Sequence, residues 1–146
     1  MGKQSWDNAI ADLSSLLLLN PDMFEAFYNR GVTYSHKGNW ALAIADYTSA
    51  IRINSDSYEA FFNRGHAYSS RSNWDQAIAD YTAALRLKPD LQEALLNRGI
   101  SYTQRNDYTR AAADLEAALS INPNNSQARQ ALEQVRRVQS FQRWDW

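Results

Sequence analysis

Three asparagines, three arginines and three aspartates recur at one interval. Asn29, Asn63 and Asn97 are each followed directly by Arg30, Arg64 and Arg98, and Asp46, Asp80 and Asp114 stand 16 residues after those arginines. A side-chain amide offers both a donor and an acceptor, so an even row of asparagines can hold an extended peptide backbone whatever its side chains. A guanidinium and a carboxylate at a fixed separation suit another task. They can form a bidentate pair that ties two elements together, the arginine stem lying on apolar surface. Neither pattern is catalytic. His36 and His66 are isolated in the sequence, with no His-Glu-x-x-His spacing and no glycine-rich phosphate loop nearby. The absence of cysteine removes disulfides, thiolate metal sites and cysteine nucleophiles. The aspartates repeat along the chain and do not converge, so the reading is of a protein without enzyme chemistry, metal or cofactor.

The elements that position these residues follow from the interval itself. Tyr58 to Leu91 matches Phe24 to Ser57 at 19 of 34 positions, and Gln92 to Asn125 continues in the same register. A period of this size marks a stacked repeat. Three full copies result, 24–57, 58–91 and 92–125. Each divides into a first helix (Glu25 to Lys37, Glu59 to Arg71, Glu93 to Arg105) and a second (Trp40 to Ile53, Trp74 to Leu87, Tyr108 to Ile121). Phe27, Gly31 and Tyr34 recur at helical spacing in the first helices, as do Phe61, Gly65 and Tyr68. A helical glycine costs roughly 1 kcal/mol against alanine. Its recurrence at one register therefore implies a second helix passing too close for a side chain. Ala43 and Ala50, Ala77 and Ala84, and Ala111 and Ala118 supply the small face opposite.

Both ends depart from the period. Residues 1–23 are the back half of a repeat: a helix, capped by Ser5 or Asp7, that ends near Leu19 before Asn20-Pro21. Its apolar face (Ile10, Leu13, Leu17) lacks one neighbour, so the chain reads as cut from a longer array. Residues 126–140 form a capping helix in which Glu133 and Arg136 replace the glycine and tyrosine, a polar closure that a solenoid needs. Residues 141–146 are an aromatic tail. Phe141, Trp144 and Trp146 are costly to leave in water, so they are expected to fold back on the last helix or to join two chains. A lesser alternative sends the tail into another molecule's groove, Arg143 facing acidic residues there. The whole of 1–146 is one repeat domain.

Phe61, Gly65, Tyr68, Ala77, Tyr81, Ala84 and Pro89, with their counterparts 34 residues to either side, resemble the tetratricopeptide repeat. That resemblance implies an all-α, right-handed superhelical solenoid of antiparallel helix pairs. First helices would line a concave groove and second helices its convex back. It also implies protein or peptide binding without catalysis. The asparagine row is similar to the ladder in the superhelical repeats of O-linked N-acetylglucosamine transferase. The chaperone-binding carboxylate clamp resembles this frame but needs lysine, arginine and asparagine where Tyr28, Val32, Glu93 and Asn97 stand. Only Asn63 matches it, so acidic chaperone-type tails are not expected as ligands.

The groove can be drawn from spacing. Each asparagine lies two residues before its glycine, about 200° round the helix and away from the partner helix. Tyr28, Phe62 and Leu96 precede the asparagines; Val32, His66 and Ile100 follow. Glu25, Glu59 and Glu93 lie one turn earlier, where they add an acidic edge or simply favour the helix N-terminus. The expected partner is a protein or peptide segment, extended or amphipathic, with apolar and basic residues. The formal charge of −1 gives no reason to seek nucleic acid. Leu16 to Leu19, the longest aliphatic run, is far too short to span a bilayer, and the default location is cytoplasmic. Two alternatives stand beside the scaffold reading. One is self-association, through the N-terminal half-repeat or the aromatic tail. The other is service as the non-catalytic arm of a larger enzyme.

Overall fold

A computed structural model describes residues 2–144, and these are all α. Among the described residues the helices are α1 (Lys3–Leu19), α2 (Phe24–His36), α3 (Trp40–Ile53), α4 (Tyr58–Ser70), α5 (Trp74–Leu87), α6 (Gln92–Gln104), α7 (Tyr108–Ile121) and α8 (Ser126–Trp144). The chain divides into two compact units, Met1–Asn73 and Trp74–Trp146, each holding four helices. In the first unit α2 packs between α1 and α3, and α4 packs on α3. Short turns make sequential neighbours antiparallel. The first helices α2 and α4 also touch each other, whereas the described residues of α1 and α3 do not. The unit therefore curves with α2 and α4 on its inner side. The second unit repeats this order: α6 lies between α5 and α7, α8 packs on α7, and α6 meets α8.

Local chemistry sets the boundaries. Ser57 caps α4 by accepting from the Ala60 amide at 3.1 Å, and Asp107 caps α7 by accepting from Arg110 at 3.2 Å. The second helices begin and end where the sequence places them. The first helices begin one residue earlier than expected, at Phe24, Tyr58 and Gln92. At the N-terminus neither Ser5 nor Asp7 serves as cap. Gly2 holds that position without a side-chain bond, and Asp7 instead pairs with Lys37. The turn residue between paired helices sits at positive φ three times: Gly38 (72°), Ser72 (59°) and Asn106 (60°). Glycine adopts that conformation freely, whereas serine holds it at a cost.

Small residues let the helices close. Ala43, Ala50, Ala60 and Ala67 are fully buried in the first unit, as are Ala94, Ala111, Ala118 and Ala128 in the second. A Cβ built on Gly31 would fall 2.8 Å from Tyr47 Cε1, and one on Gly99 would fall 2.9 Å from Leu115 Cγ. The helical cost of each glycine thus permits the approach of a large buried side chain.

The ends differ from expectation. Along α1, Leu17 is buried and Ile10 and Leu13 are half-buried, and α2 is the helix that packs on α1. The open leucines are Leu18 and Leu19, 86% and 85% exposed. The last helix runs on to Trp144 and does not stop near 140. Phe141 does not fold back on it; it is 67% exposed. The Arg143 and Trp144 side chains, and Trp146, lie outside the described residues.

Candidate functional site

The Arg–Asp pattern resolves into a clamp. Arg30 donates from Nε and Nη2 to the two carboxylate oxygens of Asp46, both at 2.8 Å, and Arg98 does the same to Asp114 at 2.7 Å. The planar fork suits this bidentate geometry. The third nitrogen reaches backwards. Arg30 Nη1 donates to Ser14 Oγ at 2.9 Å, Arg64 Nη1 to Thr48 Oγ1 at 3.1 Å and Arg98 Nη1 to Thr82 Oγ1 at 3.0 Å. Each arginine therefore binds the second helix of the preceding repeat, and Arg30 and Arg98 also bind that of their own. The hydroxyls escaped the sequence reading, although Ser14, Thr48 and Thr82 recur at the same interval. Hydrogen bonds to the aspartates hold the pKa of Arg30 and Arg98 above the ordinary value, outweighing burial, which acts the other way. These two guanidiniums are spent within the fold and offer no free charge to a ligand.

The asparagine row is uneven. Asn29 is exposed. Asn63 is half-buried, and its Nδ2 donates to Tyr28 Oη at 3.0 Å. Asn97 is half-buried on α6. Tyr28, which the spacing puts in the groove, also packs into the core. It stacks on Phe24 (centroids 5.7 Å apart) and leans on buried Tyr47 (6.0 Å). Burial is the main cause that raises the Tyr28 phenol above its usual range, and the nearby Glu59 carboxylate adds to it. Leu96, expected on the groove floor, is only 6% exposed and belongs to the core. Phe62, Val32 and Ile100 are half-buried. Glu25, Glu59 and Glu93 are exposed in the first turns of their helices. Glu59 accepts from the capping hydroxyl of Ser57 at 3.1 Å, which gives that carboxylate a structural task at the helix N-terminus.

One cavity of about 230 Å³ opens among α2, α3 and α4 in the first unit. Val32, Trp40 and the two imidazoles of His36 and His66 line it. Ser35 and buried Tyr47 line it as well, their hydroxyls 3.1 Å apart, and Asn63 reaches it. The histidines are thus not isolated in space. His36 lies four residues after Val32, one turn along the same face, which was the available signal. His66 meets Trp40 edge to face at 5.8 Å. Its packing there pushes its pKa below the usual value, although part of the ring keeps access to solvent. Burial pushes the Tyr47 phenol up to about 12, against the opposing bond from Ser35.

Among the described residues no group of three or more His, Asp or Glu could hold a metal ion. No described helix is long and apolar enough to cross a membrane.

Comparison with known proteins agrees with the fold. The tetratricopeptide-repeat family profile matches residues 64–136 and a second profile of that family matches residues 24–57. No curated protein sequence matches the chain. The crystal structure of MamA superposes with a TM-score of 0.92 at 23% identity, over 94% of this chain and 81% of MamA. The TPR domain of Arabidopsis OM64 gives 0.76 at 29% identity, over 78% of this chain and 94% of the domain. The second TPR domain of human RPAP3, solved with the HSP70 peptide SGPTIEEVD, gives 0.73 at 27% identity, over 75% and 92%. With one profile spanning half of the chain and a second covering the repeat before it, the protein belongs to the tetratricopeptide-repeat family.

Proposed function

We propose that the chain is a non-catalytic scaffold that binds an extended or amphipathic peptide segment of a partner protein on the inner face of its first helices. The observation that carries this is the joint placement of Tyr28, Val32, Asn63 and His66 on α2 and α4, the two helices that meet on the inner side of the first unit. The face combines aromatic surface with amide and hydroxyl groups. Arg30 and Arg98 are neutralised by their own aspartates. The human RPAP3 domain, which shares the fold, binds a peptide with an acidic end. Here Tyr28, Val32 and Glu93 stand where a carboxylate clamp requires other side chains, so the ligand chemistry differs. Exposed Glu25, Glu59 and Glu93 favour a segment with basic residues among apolar ones. A few backbone bonds, each worth about 1 kcal/mol net, and two or three apolar contacts give an affinity around micromolar after the cost of association. The test is selection from a random peptide display library on the full chain, repeated with an Asn29/Asn63/Asn97 triple alanine variant. Enriched peptides that bind the variant at least tenfold more weakly support the amide row. Equal binding removes the row from recognition, and a library without binders removes the scaffold reading.

A second reading rests on Leu18 and Leu19, which form an open aliphatic edge on α1. Self-association through that edge would be broken by Leu18→Lys with Leu19→Lys. A solution mass by light scattering that equals one chain before and after the change excludes it.

A further inference from the structure

We propose that the cavity among α2, α3 and α4 is a specificity pocket for one aromatic side chain that carries a hydrogen-bonding group, tyrosine in particular; this rests on the peptide-scaffold reading. The cavity, about 230 Å³, is smaller than pockets that take drug-sized ligands and suits a single side chain. Four of its seven lining residues are aromatic. His36 is stacked on Trp6 with centroids 5.9 Å apart, and Trp40 meets His66 at 5.8 Å. A planar guest gains offset or edge contacts with such walls. The Ser35 and Tyr47 hydroxyls share one hydrogen bond, which uses one of two O–H donors. The second donor and the remaining lone pairs can meet a phenol. A leucine or phenylalanine guest would cover those groups without satisfying them.

Charge excludes the other guests. No carboxylate, lysine or arginine lines the cavity. A lysine or glutamate side chain would enter without a counter-ion, which is expensive away from water. Burial disfavours protonation of His66, so the wall opposite Trp40 stays neutral near pH 7. The cavity in the matching place of the second unit has another character. Thr103, Tyr108 and Gln134 stand there for Ser35, Trp40 and His66, Arg137 lines it, and Leu115 replaces Tyr47 in the core. The second unit's cavity lacks the paired hydroxyls, because Leu115 offers Thr103 no hydroxyl.

The direct probe is a titration of the ¹⁵N-labelled full chain with N-acetyl-tyrosinamide, N-acetyl-leucinamide and N-acetyl-lysinamide. Tyrosinamide should move the Trp40 indole N–H and the amides of Val32, Ser35 and Asn63, the other two several-fold less. No response at those signals, or an equal response to lysinamide, overturns the pocket. In peptides selected on the full chain, tyrosine should recur at one position. The preference for tyrosine over phenylalanine there should be about fivefold, the worth of one net hydrogen bond. It should fall towards unity in Tyr47→Phe and in Ser35→Ala, two substitutions that keep the packing nearly unchanged. Binders without an aromatic preference overturn the pocket and leave the scaffold standing. A library without binders overturns the scaffold, and the tyrosinamide titration then decides the pocket alone.

Discussion

The first and second units are the same four-helix arrangement written twice, 68 residues apart. The shift carries Ser14, Arg30 and Asp46 onto Thr82, Arg98 and Asp114, and both sets make the same three bonds. It carries the exposed pair Asp7–Lys37 onto Asp75–Arg105. Other positions change. Tyr28, Trp40, Tyr47 and His66 become Leu96, Tyr108, Leu115 and Gln134. What is shared lies between helices and holds each unit together. What differs lies on or beneath the inner face. The comparison thus separates residues that build the repeat from residues that distinguish one inner surface from another.

The largest effect should come from breaking the shared part. Asp46→Ala and Asp114→Ala each leave a guanidinium whose side chain is only 20% or 19% exposed without its bidentate partner. A loss of about 2–4 kcal/mol is expected for each, below that of a fully buried pair because water reaches the arginine. Urea denaturation followed by circular dichroism measures it, and the two losses should agree within about 0.5 kcal/mol. A much smaller loss for Asp46→Ala would mean that the first unit's clamp is not equivalent to the second's.

The next effect should sharpen a difference. At Gly99 a Cβ would meet Leu115 Cγ at 2.9 Å and the Ala111 carbonyl oxygen at 3.3 Å, neither of which can move freely. At Gly31 the three nearest atoms, at 2.8 to 3.3 Å, are all in the Tyr47 ring and none is backbone. Both substitutions gain up to about 1 kcal/mol of helix propensity. Overpacking costs about 1–3 kcal/mol. Gly99→Ala should therefore lower the stability by about 1–2 kcal/mol and Gly31→Ala by less. Thermal melts of the two variants compare them, and a larger loss for Gly31→Ala would show that Tyr47 is held more rigidly than Leu115.

Much of this arrangement was legible. The second helices Trp40–Ile53, Trp74–Leu87 and Tyr108–Ile121 begin at an aromatic after a polar turn, and both signals are local. The Arg30–Asp46 and Arg98–Asp114 pairs followed from a fixed separation and complementary chemistry. Contacts that depend on two helices meeting at one angle did not follow. Leu96 sits at the register of Tyr28 yet is buried, because the register gives a direction and not the depth of the neighbour. Asn63 looked identical to Asn29, but only a first helix that precedes it can supply a tyrosine hydroxyl. The cavity required Val32, Trp40 and His66 from three helices, and no single stretch carries that pattern.

A smaller effect concerns the inner face alone. Tyr28→Phe removes the bond to Asn63 and keeps the ring against Phe24 and Tyr47. It should cost about 0.5–1.5 kcal/mol of stability. It also frees the Asn63 amide. If the amides bind a peptide backbone, Asn63→Ala should weaken peptide binding more in the Tyr28→Phe background than in the parent chain. Equal weakening in both would show that Asn63 serves Tyr28 and not a ligand. The second unit has no such pair, since Leu96 and Ala131 stand at the matching places.

The smallest effect separates the units by pH. The His66 pKa lies below 6.5 in the folded chain and returns to about 6.5 on unfolding. Between the two values the unfolded state binds more protons, so stability rises with pH across that window. The contribution is complete above about pH 6.5 and is lost as pH falls through the folded value. Gln134 at the matching place in α8 does not titrate. His66→Gln, which copies the second unit into the first, should therefore flatten the stability profile below pH 6.5 and leave it unchanged at pH 8. Melting temperatures of the two chains from pH 5 to pH 8 give the comparison. If both fall equally towards pH 5, the acid sensitivity belongs to groups that the two chains share, and the neutral wall beside Trp40 does not depend on His66.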